Sequence, residues 1–192
     1  AAAEAQAEEH AKGWRIESTE HQFERKLEGM EIRGYIDRVE RHEATGALRV
    51  LDYKSSTKAN PPFTSHTATC NDETPDYMVF DVTINGRAKE RRWVDLQLPL
   101  YAWALDHEAD SDLQLGYFNL PALGVDTGVQ LLEPYTPELQ QHAMDCALAI
   151  VEKVKAQEFW PPAGKPKYDD FKSILFDQPE ATAEPPQMEG AA

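Results

Sequence analysis

The sequence of 192 residues is poor in cysteine and has no long apolar run. Its two cysteines, Cys70 and Cys146, do not form a Cys-x-x-Cys pair, which argues against a disulfide framework and a structural zinc site. No apolar run approaches the length that crosses a membrane, and no signal peptide is visible. These features predict a cytoplasmic protein that does not contact a membrane.

Basic residues are also scarce. Lysine and arginine number 19 against 34 aspartates and glutamates, so the formal net charge is −15. Because phosphate groups attract cations, this balance argues against a freestanding, tight binder of nucleic acid. A basic surface would have to be local or be supplied by another domain or subunit. The first residue is Ala rather than Met, and we expect the chain to be a piece of a larger protein.

Two strand-like segments form the centre of the pattern, Ile32–Val39 and Ala47–Lys54, joined by the polar loop Glu40–Gly46. Side chains alternate between the faces of a strand. Asp52 and Lys54 therefore follow two apolar residues on one face, about 7 Å apart. Charged groups at the end of an apolar face are costly unless they pair or serve a metal.

The hairpin can bring Asp37, near the end of its own strand, close to Asp52 and Lys54. Two carboxylates and a lysine at one sheet edge can bind Mg²⁺ and neutralise charge on a phosphate. An ordinary salt-bridged hairpin is the alternative that these residues leave open.

A helix is predicted over Trp93–His107, with Gln97 and Tyr101 four positions apart on one side. Pro99 fits if the helix starts near Asp95. Four apolar side chains at helical spacing should form the buried face: Leu96, Leu100, Trp103 and Ala104.

Three motifs occur in order along the chain: Gly34-Tyr35-Ile36-Asp37-Arg38, Asp52-Tyr53-Lys54-Ser55 and Gln97-Leu98-Pro99-Leu100-Tyr101. This order resembles the RecB-type branch of the PD-(D/E)XK nuclease superfamily, including the C-terminal nuclease domains of RecB and AddB. The resemblance covers about Trp14 to Leu175. It implies an α/β fold in which a mixed central β-sheet is flanked by helices, with a restriction-endonuclease-like core.

The resemblance also implies a Mg²⁺ (or Mn²⁺) site. Asp37 and Asp52 would be ligands, together with the backbone carbonyl of Tyr53. The ring of Tyr53 faces away from its neighbours and is predicted to be core. Glu20 resembles a strand glutamate of the family and could be a further metal-side carboxylate, or a solvated strand residue.

The remaining catalytic candidates are Lys54, Gln97 and Tyr101. Lys54 would orient or deprotonate a water, or neutralise phosphate charge. In the family, the helix residues corresponding to Gln97 and Tyr101 orient the lysine or contact DNA. The alternative is that these two side chains only satisfy each other.

Two features of the family are absent from the pattern. Its upstream helical histidine has no clear counterpart, because His10, on a predicted helix over residues 1–12, stands only 27 positions before Asp37 and is expected to be exposed. No cysteine follows Cys146, so no four-cysteine iron–sulfur cluster is expected. Cys146 itself is predicted to lie in the core, on a helix from Thr136 to about Lys155.

We predict a nuclease-like domain over residues 1–177, with an insertion at about 56–92 and a disordered tail at 178–192. Within the insertion, Asn85-Gly86 predicts a hairpin turn. His66 and Cys70 are too few for a metal site. The insertion and its approach supply the best basic candidates for DNA contact, with a solvated surface as the alternative: Lys58, Arg87, Lys89, Arg91 and Arg92.

The leading hypothesis is a Mg²⁺-dependent deoxyribonuclease domain, an exonuclease acting in DNA repair or recombination with a helicase domain or subunit. A second hypothesis is a non-cleaving DNA-guiding or docking module of such a complex. A third is a metal-binding regulatory domain with no role on nucleic acid.

Overall fold

The computed structural model describes residues 1–105 and 112–159. The chain divides into two compact units, Ala1–Ala149 and Ile150–Ala192. The predicted tail over 178–192 lies outside the described residues. The elements are α1 (Ala2–Ala11), β1 (Trp14–Leu27), β2 (Met30–His42), β3 (Leu48–Ser56), α2 (Pro62–His66), β4 (Thr67–Ala68), β5 (Val79–Ile84), β6 (Arg87–Trp93), α3 (Gln97–Leu105), β7 (Leu113–Pro121), β8 (Gly128–Leu131) and α4 (Pro137–Lys155).

The first unit contains a five-stranded sheet in the order β1-β2-β3-β7-β8. Three of its four pairings are antiparallel, and β3 pairs with β7 in parallel. A parallel pair needs a long crossover, and the chain between β3 and β7 supplies it. The mixed sheet and its helices confirm the predicted α/β fold. No helix in the described part of the chain is both long and apolar enough to cross a membrane.

Alternation along β3 sends its apolar side chains into two cores. Val50 packs in the cluster that includes Leu98 and Leu105 of α3. Leu51 points the other way and packs with Ala5 of α1 and Phe118 of β7. The two helices therefore cover opposite faces of β3, as expected for a sheet that is flanked on both sides.

The predicted buried face of α3 is wrong in part. Leu100 and Trp103 are only half-buried, and the guanidinium of Arg25 lies 4.7 Å from the Trp103 ring centroid. The helix begins at Gln97, so Pro99 stands in the first turn, where no backbone N–H is needed. The residues that are buried include Leu98, Tyr101, Ala102, Ala104 and Leu105.

The predicted loop after β2 starts too early. Glu40 belongs to β2 and is fully buried, because it forms ion pairs with Arg38 and Arg49. Arg49 also reaches Glu9 of α1, with 2.6 Å between Nη2 and Oε2, and its guanidinium lies 4.1 Å from the ring centroid of Trp14. We call Glu9, Arg38, Glu40 and Arg49 the buried ion network, and it joins α1 to the sheet.

The insertion forms a second, three-stranded sheet in the order β4-β6-β5. Asn85 and Gly86 both have positive φ, 53° and 72°, which the two-residue hairpin turn predicted there requires. Arg91 and Arg92 donate hydrogen bonds to Thr67 and Thr69 on or beside β4. Of the basic candidates, the exposed ones are Lys58, Arg87 and Lys89.

Candidate active site

The two predicted aspartates stand where β2 and β3 separate. The ladder between these strands ends at Arg38 opposite Leu51, so the next opposed positions are Asp37 and Asp52. The charge of Asp37 contributes to the raised pKa of Asp52, so the two carboxylates are close enough to interact. Instead of continuing the ladder, the Oδ2 of Asp37 accepts a hydrogen bond from the backbone N–H of Tyr53 at 2.9 Å.

That hydrogen bond also fixes the direction of the Tyr53 backbone. In a strand, the N–H and C=O of one residue point toward the same neighbouring strand. Since the N–H of Tyr53 points to Asp37, its carbonyl faces the same side. The carbonyl oxygen of Tyr53 therefore lies on the Asp37 side of β3.

Asp52 is 4% exposed, and its Oδ2 lies 2.7 Å from the Nζ of Lys54. Burial raises the pKa of Asp52, and the charges of Asp37 and Asp95 raise it further, while Lys54 lowers it. The net shift is upward, so the lysine offsets only part of the cost of the buried charge. A further cation beside these carboxylates would be favoured.

Lys54 is held from three sides. It pairs with Asp52, and it donates a hydrogen bond to the Oε1 of Gln97 at 3.3 Å. The ring centroid of Tyr117 on β7 lies 4.8 Å from Nζ. Gln97 in turn donates from Nε2 to the hydroxyl of Tyr101 at 3.0 Å. Gln97 and Tyr101 therefore satisfy each other and also reach the lysine.

Sequence reasoning did not assign Asp95, His66 or Tyr117 to this site. Asp95 caps α3, since its Oδ1 accepts the backbone N–H of Gln97 at 2.7 Å. An aspartate just before a helix is a recognisable capping signal. His66 and Tyr117 carry no comparable signal, because their contact joins positions 51 apart in the chain.

Glu20 lies on β1, across from Asp37 by the register of its neighbours. Its side chain is exposed, and its φ is 51°, which is uncommon for a residue other than glycine. The prediction that Tyr53 has a core ring is wrong. The residue is 40% exposed, its ring meets Phe118 edge-on at 5.7 Å, and α1 covers the preceding Leu51 instead.

The donor set fits a hard divalent cation. Carboxylate and carbonyl oxygens are the ligands of Mg²⁺ and Mn²⁺, and Mg²⁺ commonly takes one or two carboxylates and keeps several waters. Among the residues that the structure describes, no group of three or more His, Cys, Asp or Glu side chains could hold a metal ion.

Comparison with known proteins identifies the family of the chain. A family model described as the PD-(D/E)XK nuclease superfamily matches residues 1–167. The chain is also similar to the crystal structure of a "putative exonuclease" from Eubacterium rectale, with 11% identity and a TM-score of 0.43. That match covers 81% of this chain and 52% of the other, so the chain spans about half of that protein's length. No curated protein matches the chain. Since the family model covers far more than half of the chain, the protein belongs to the PD-(D/E)XK nuclease superfamily.

Proposed function

We propose that the chain is a Mg²⁺-dependent deoxyribonuclease domain, an exonuclease that hydrolyses phosphodiester bonds. One arrangement carries the proposal: beyond the last paired residues of β2 and β3, the charge of Asp37 acts on Asp52, and Lys54 is paired to Asp52. Loss of a carboxylate from this pair should end cleavage. The catalytic and metal-binding roles below rest on that arrangement.

Asp37, Asp52 and the backbone carbonyl of Tyr53 would hold the cation. Glu20 is exposed on β1 and does not form a metal-holding group of three carboxylates with the two aspartates in the described residues. When bound, the cation would polarise the scissile phosphate and lower the pKa of an attacking water. Asp37 is oriented for this role by the N–H of Tyr53.

Lys54 supplies the second positive charge. An ammonium has three N–H donors, and Asp52 and Gln97 take two of them. The third can be directed at a phosphate oxygen or at the attacking water. Tyr101 keeps Gln97 in the orientation that accepts from Lys54, because it takes the amide N–H of Gln97.

The test compares the wild type with Asp52→Asn, which keeps side-chain size and removes charge. We expect the wild type to degrade linear DNA with Mg²⁺ or Mn²⁺, and Asp52→Asn to lose at least about a hundredfold in rate. Calorimetry should show metal binding that the variant lacks. Asp81→Asn, on the exposed side of β5, is the matched control and should cut like the wild type.

Equal cleavage by Asp52→Asn would overturn the nuclease proposal. Metal binding without cutting would favour a non-cleaving DNA-guiding or docking module instead. Covalently closed circular DNA distinguishes the modes, since an exonuclease leaves it intact. Replacing Mg²⁺ by Ca²⁺ should preserve DNA binding while cleavage stops.

We further propose that a helicase domain or subunit delivers DNA to this site in cytoplasmic repair or recombination, as in the RecB and AddB branch. The net charge of −15 supports this, because it opposes unaided approach to a polyanion. Adding a helicase module of that branch to the purified domain should raise cleavage per bound metal. An unchanged rate would contradict the partner proposal and leave the nuclease proposal intact.

A further inference from the structure

A buried chain of contacts leads from the insertion to the candidate catalytic lysine. His66, the last residue of α2, is 0% exposed. Its Nδ1 lies 2.9 Å from the backbone carbonyl oxygen of Asp95. Its Nε2 lies 2.9 Å from the hydroxyl of Tyr117.

The carbonyl fixes the direction of both hydrogen bonds. A carbonyl oxygen only accepts, so the proton of the neutral ring lies on Nδ1. Nε2 is then an acceptor, and the hydroxyl of Tyr117 donates to it. The tip of the tyrosine ring is thereby tied to α2.

The other end of this contact is the lysine. Tyr117 is paired with Asp52 in the parallel register of β3 and β7, so its ring lies on the same sheet face as Asp52 and Lys54. The ring centroid is 4.8 Å from the ammonium nitrogen, within the range of a cation–π contact. Tilting the ring away would remove one of the three supports of Lys54.

The segment that bears His66 is anchored beside the same site. The backbone N–H of Val94 donates to the carbonyl of His66 at 2.9 Å, and that of Asp95 does so at 3.3 Å. Asp95 also caps α3, which carries Gln97. His66 therefore connects Tyr117 with the start of the helix that carries Gln97, and both residues contact Lys54.

We propose that His66 is a positioning residue for Lys54, acting through the hydroxyl and ring of Tyr117. This inference rests on the proposed function, since it assigns the lysine a catalytic task. The insertion would then have a role in the site, because its His66 holds the ring of Tyr117 against the ammonium group of Lys54.

The test uses two substitutions that differ in one property. His66→Leu removes the acceptor, whereas His66→Gln can still accept from Tyr117 through its amide oxygen. Cys146→Ala is the control for lost stability alone, because Cys146 is buried in the separate cluster around Phe80 and Trp93. Tyr117→Phe is the second route, which keeps the ring and removes the hydroxyl.

The first readout does not need activity. In a proton–nitrogen NMR spectrum of the lysine ammonium groups, assigned with Lys54→Arg, the Lys54 signal should be displaced by the Tyr117 ring. We expect His66→Leu and Tyr117→Phe to move it toward the exposed lysines. His66→Gln and Cys146→Ala should leave it in place.

The second readout is steady-state cleavage. We expect kcat to fall about tenfold in His66→Leu, with KM for DNA within about twofold, as for one lost hydrogen bond that matters in the transition state. His66→Gln should restore most of kcat. If the wild type does not cut, the proposed function fails and the NMR readout alone decides this inference.

An unchanged Lys54 signal in folded His66→Leu or Tyr117→Phe would overturn the proposal. So would an equal displacement in Cys146→Ala, since it would show that general loosening suffices. If His66→Leu does not fold, Tyr117→Phe and His66→Gln provide the same comparison.

Discussion

Asp52 holds its charge in surroundings that disfavour it. Burial and the neighbouring aspartates raise its pKa despite the ion pair with Lys54. A group whose folded pKa is raised costs stability when it is ionised, and this cost is present at neutral pH. A cost of this kind is typical of sites where stability is lost in favour of activity, which is the role proposed for Asp52.

We therefore predict that Asp52→Asn is at least as stable as the wild type, with a free energy of unfolding higher by about 0.5 kcal/mol or more. The effect should reverse with Mg²⁺, which stabilises only the chain that binds it. Urea unfolding with and without Mg²⁺ measures both. A variant that is less stable without metal would show that the ion pair dominates.

His66 should make the folded protein less stable as the pH falls. Burial lowers its pKa, and the charge of Lys54 lowers it further, while Asp95 and Asp52 act to raise it. As the pH falls below the ordinary value of about 6.5, the unfolded chain takes up the proton first. Stability should then decrease until the pH passes the lowered folded pKa, where the loss levels off.

The prediction is that stability falls more steeply between pH 7 and pH 5 in the wild type than in His66→Gln. Urea unfolding at several pH values measures the two slopes, and their difference cancels the contribution of the other titrating groups. Parallel slopes would mean that His66 is not the group responsible.

At the scale of the elements, the buried ion network holds α1 on the sheet. Arg49 is nearly inaccessible and pairs with both Glu40 and Glu9. Removing one partner from a buried network leaves uncompensated charge, which costs about 3–5 kcal/mol. Arg38, the arginine of the first motif, serves this network through Glu40.

We predict that Arg49→Met lowers the free energy of unfolding by about 3–5 kcal/mol. Arg33→Met is the matched control, because Arg33 is exposed and its Nε lies 3.7 Å from the Oε1 of Glu31. This substitution should change the free energy of unfolding by less than about 0.5 kcal/mol. Chemical denaturation of both variants tests this. Similar effects would show that the network contributes little beyond surface pairing.

The elements also show what a sequence can predict. Alternation and turn residues are local signals, so β3, the Asn85-Gly86 hairpin and the shared face of Asp52 and Lys54 were predicted correctly. The buried face of α3 was partly wrong, since apolar residues surround that helix and its spacing does not choose a side. Glu40 was placed in a loop because polarity alone does not reveal a buried partner.

In the candidate site, too, some neighbours could be predicted from the sequence and others could not. Asp37, Asp52 and Lys54 could be brought together from strand register alone, and their catalytic roles stay predictions. His66 and Tyr117 could not, because their contact depends on how the crossover returns to the sheet. Their hydrogen bond exists only once β7 lies beside β3.

At the scale of the whole molecule, the net negative charge bears on the proposed binding of DNA. Two of the three exposed candidates for local contact, Arg87 and Lys89, lie on β6. Each phosphate contact contributes about 0.9 to the slope of log affinity against log salt. We predict that Arg87→Ala with Lys89→Ala weakens Ca²⁺-supported DNA binding and lowers this slope by about two.

Lys26→Ala is the control, since Lys26 is an exposed lysine on β1 away from the insertion. Fluorescence anisotropy with labelled DNA ends at several salt concentrations measures the slope. A slope that stays the same in the double variant would mean that the hairpin surface is merely solvated.

The parallel pairing of β3 with β7 has a consequence for the order in which the chain becomes organised. Leu48 and Leu113, which begin that pairing, are 65 positions apart, whereas β1, β2 and β3 follow one another as hairpins. Closing a long loop costs more entropy than closing a short one, and local pairs therefore form sooner. During synthesis from the N-terminus, the two aspartates would meet before Tyr117 has left the ribosome. The nascent chain would thus bring its two aspartates together first. Tyr117 would then be the last of the three residues in contact with Lys54 to reach it.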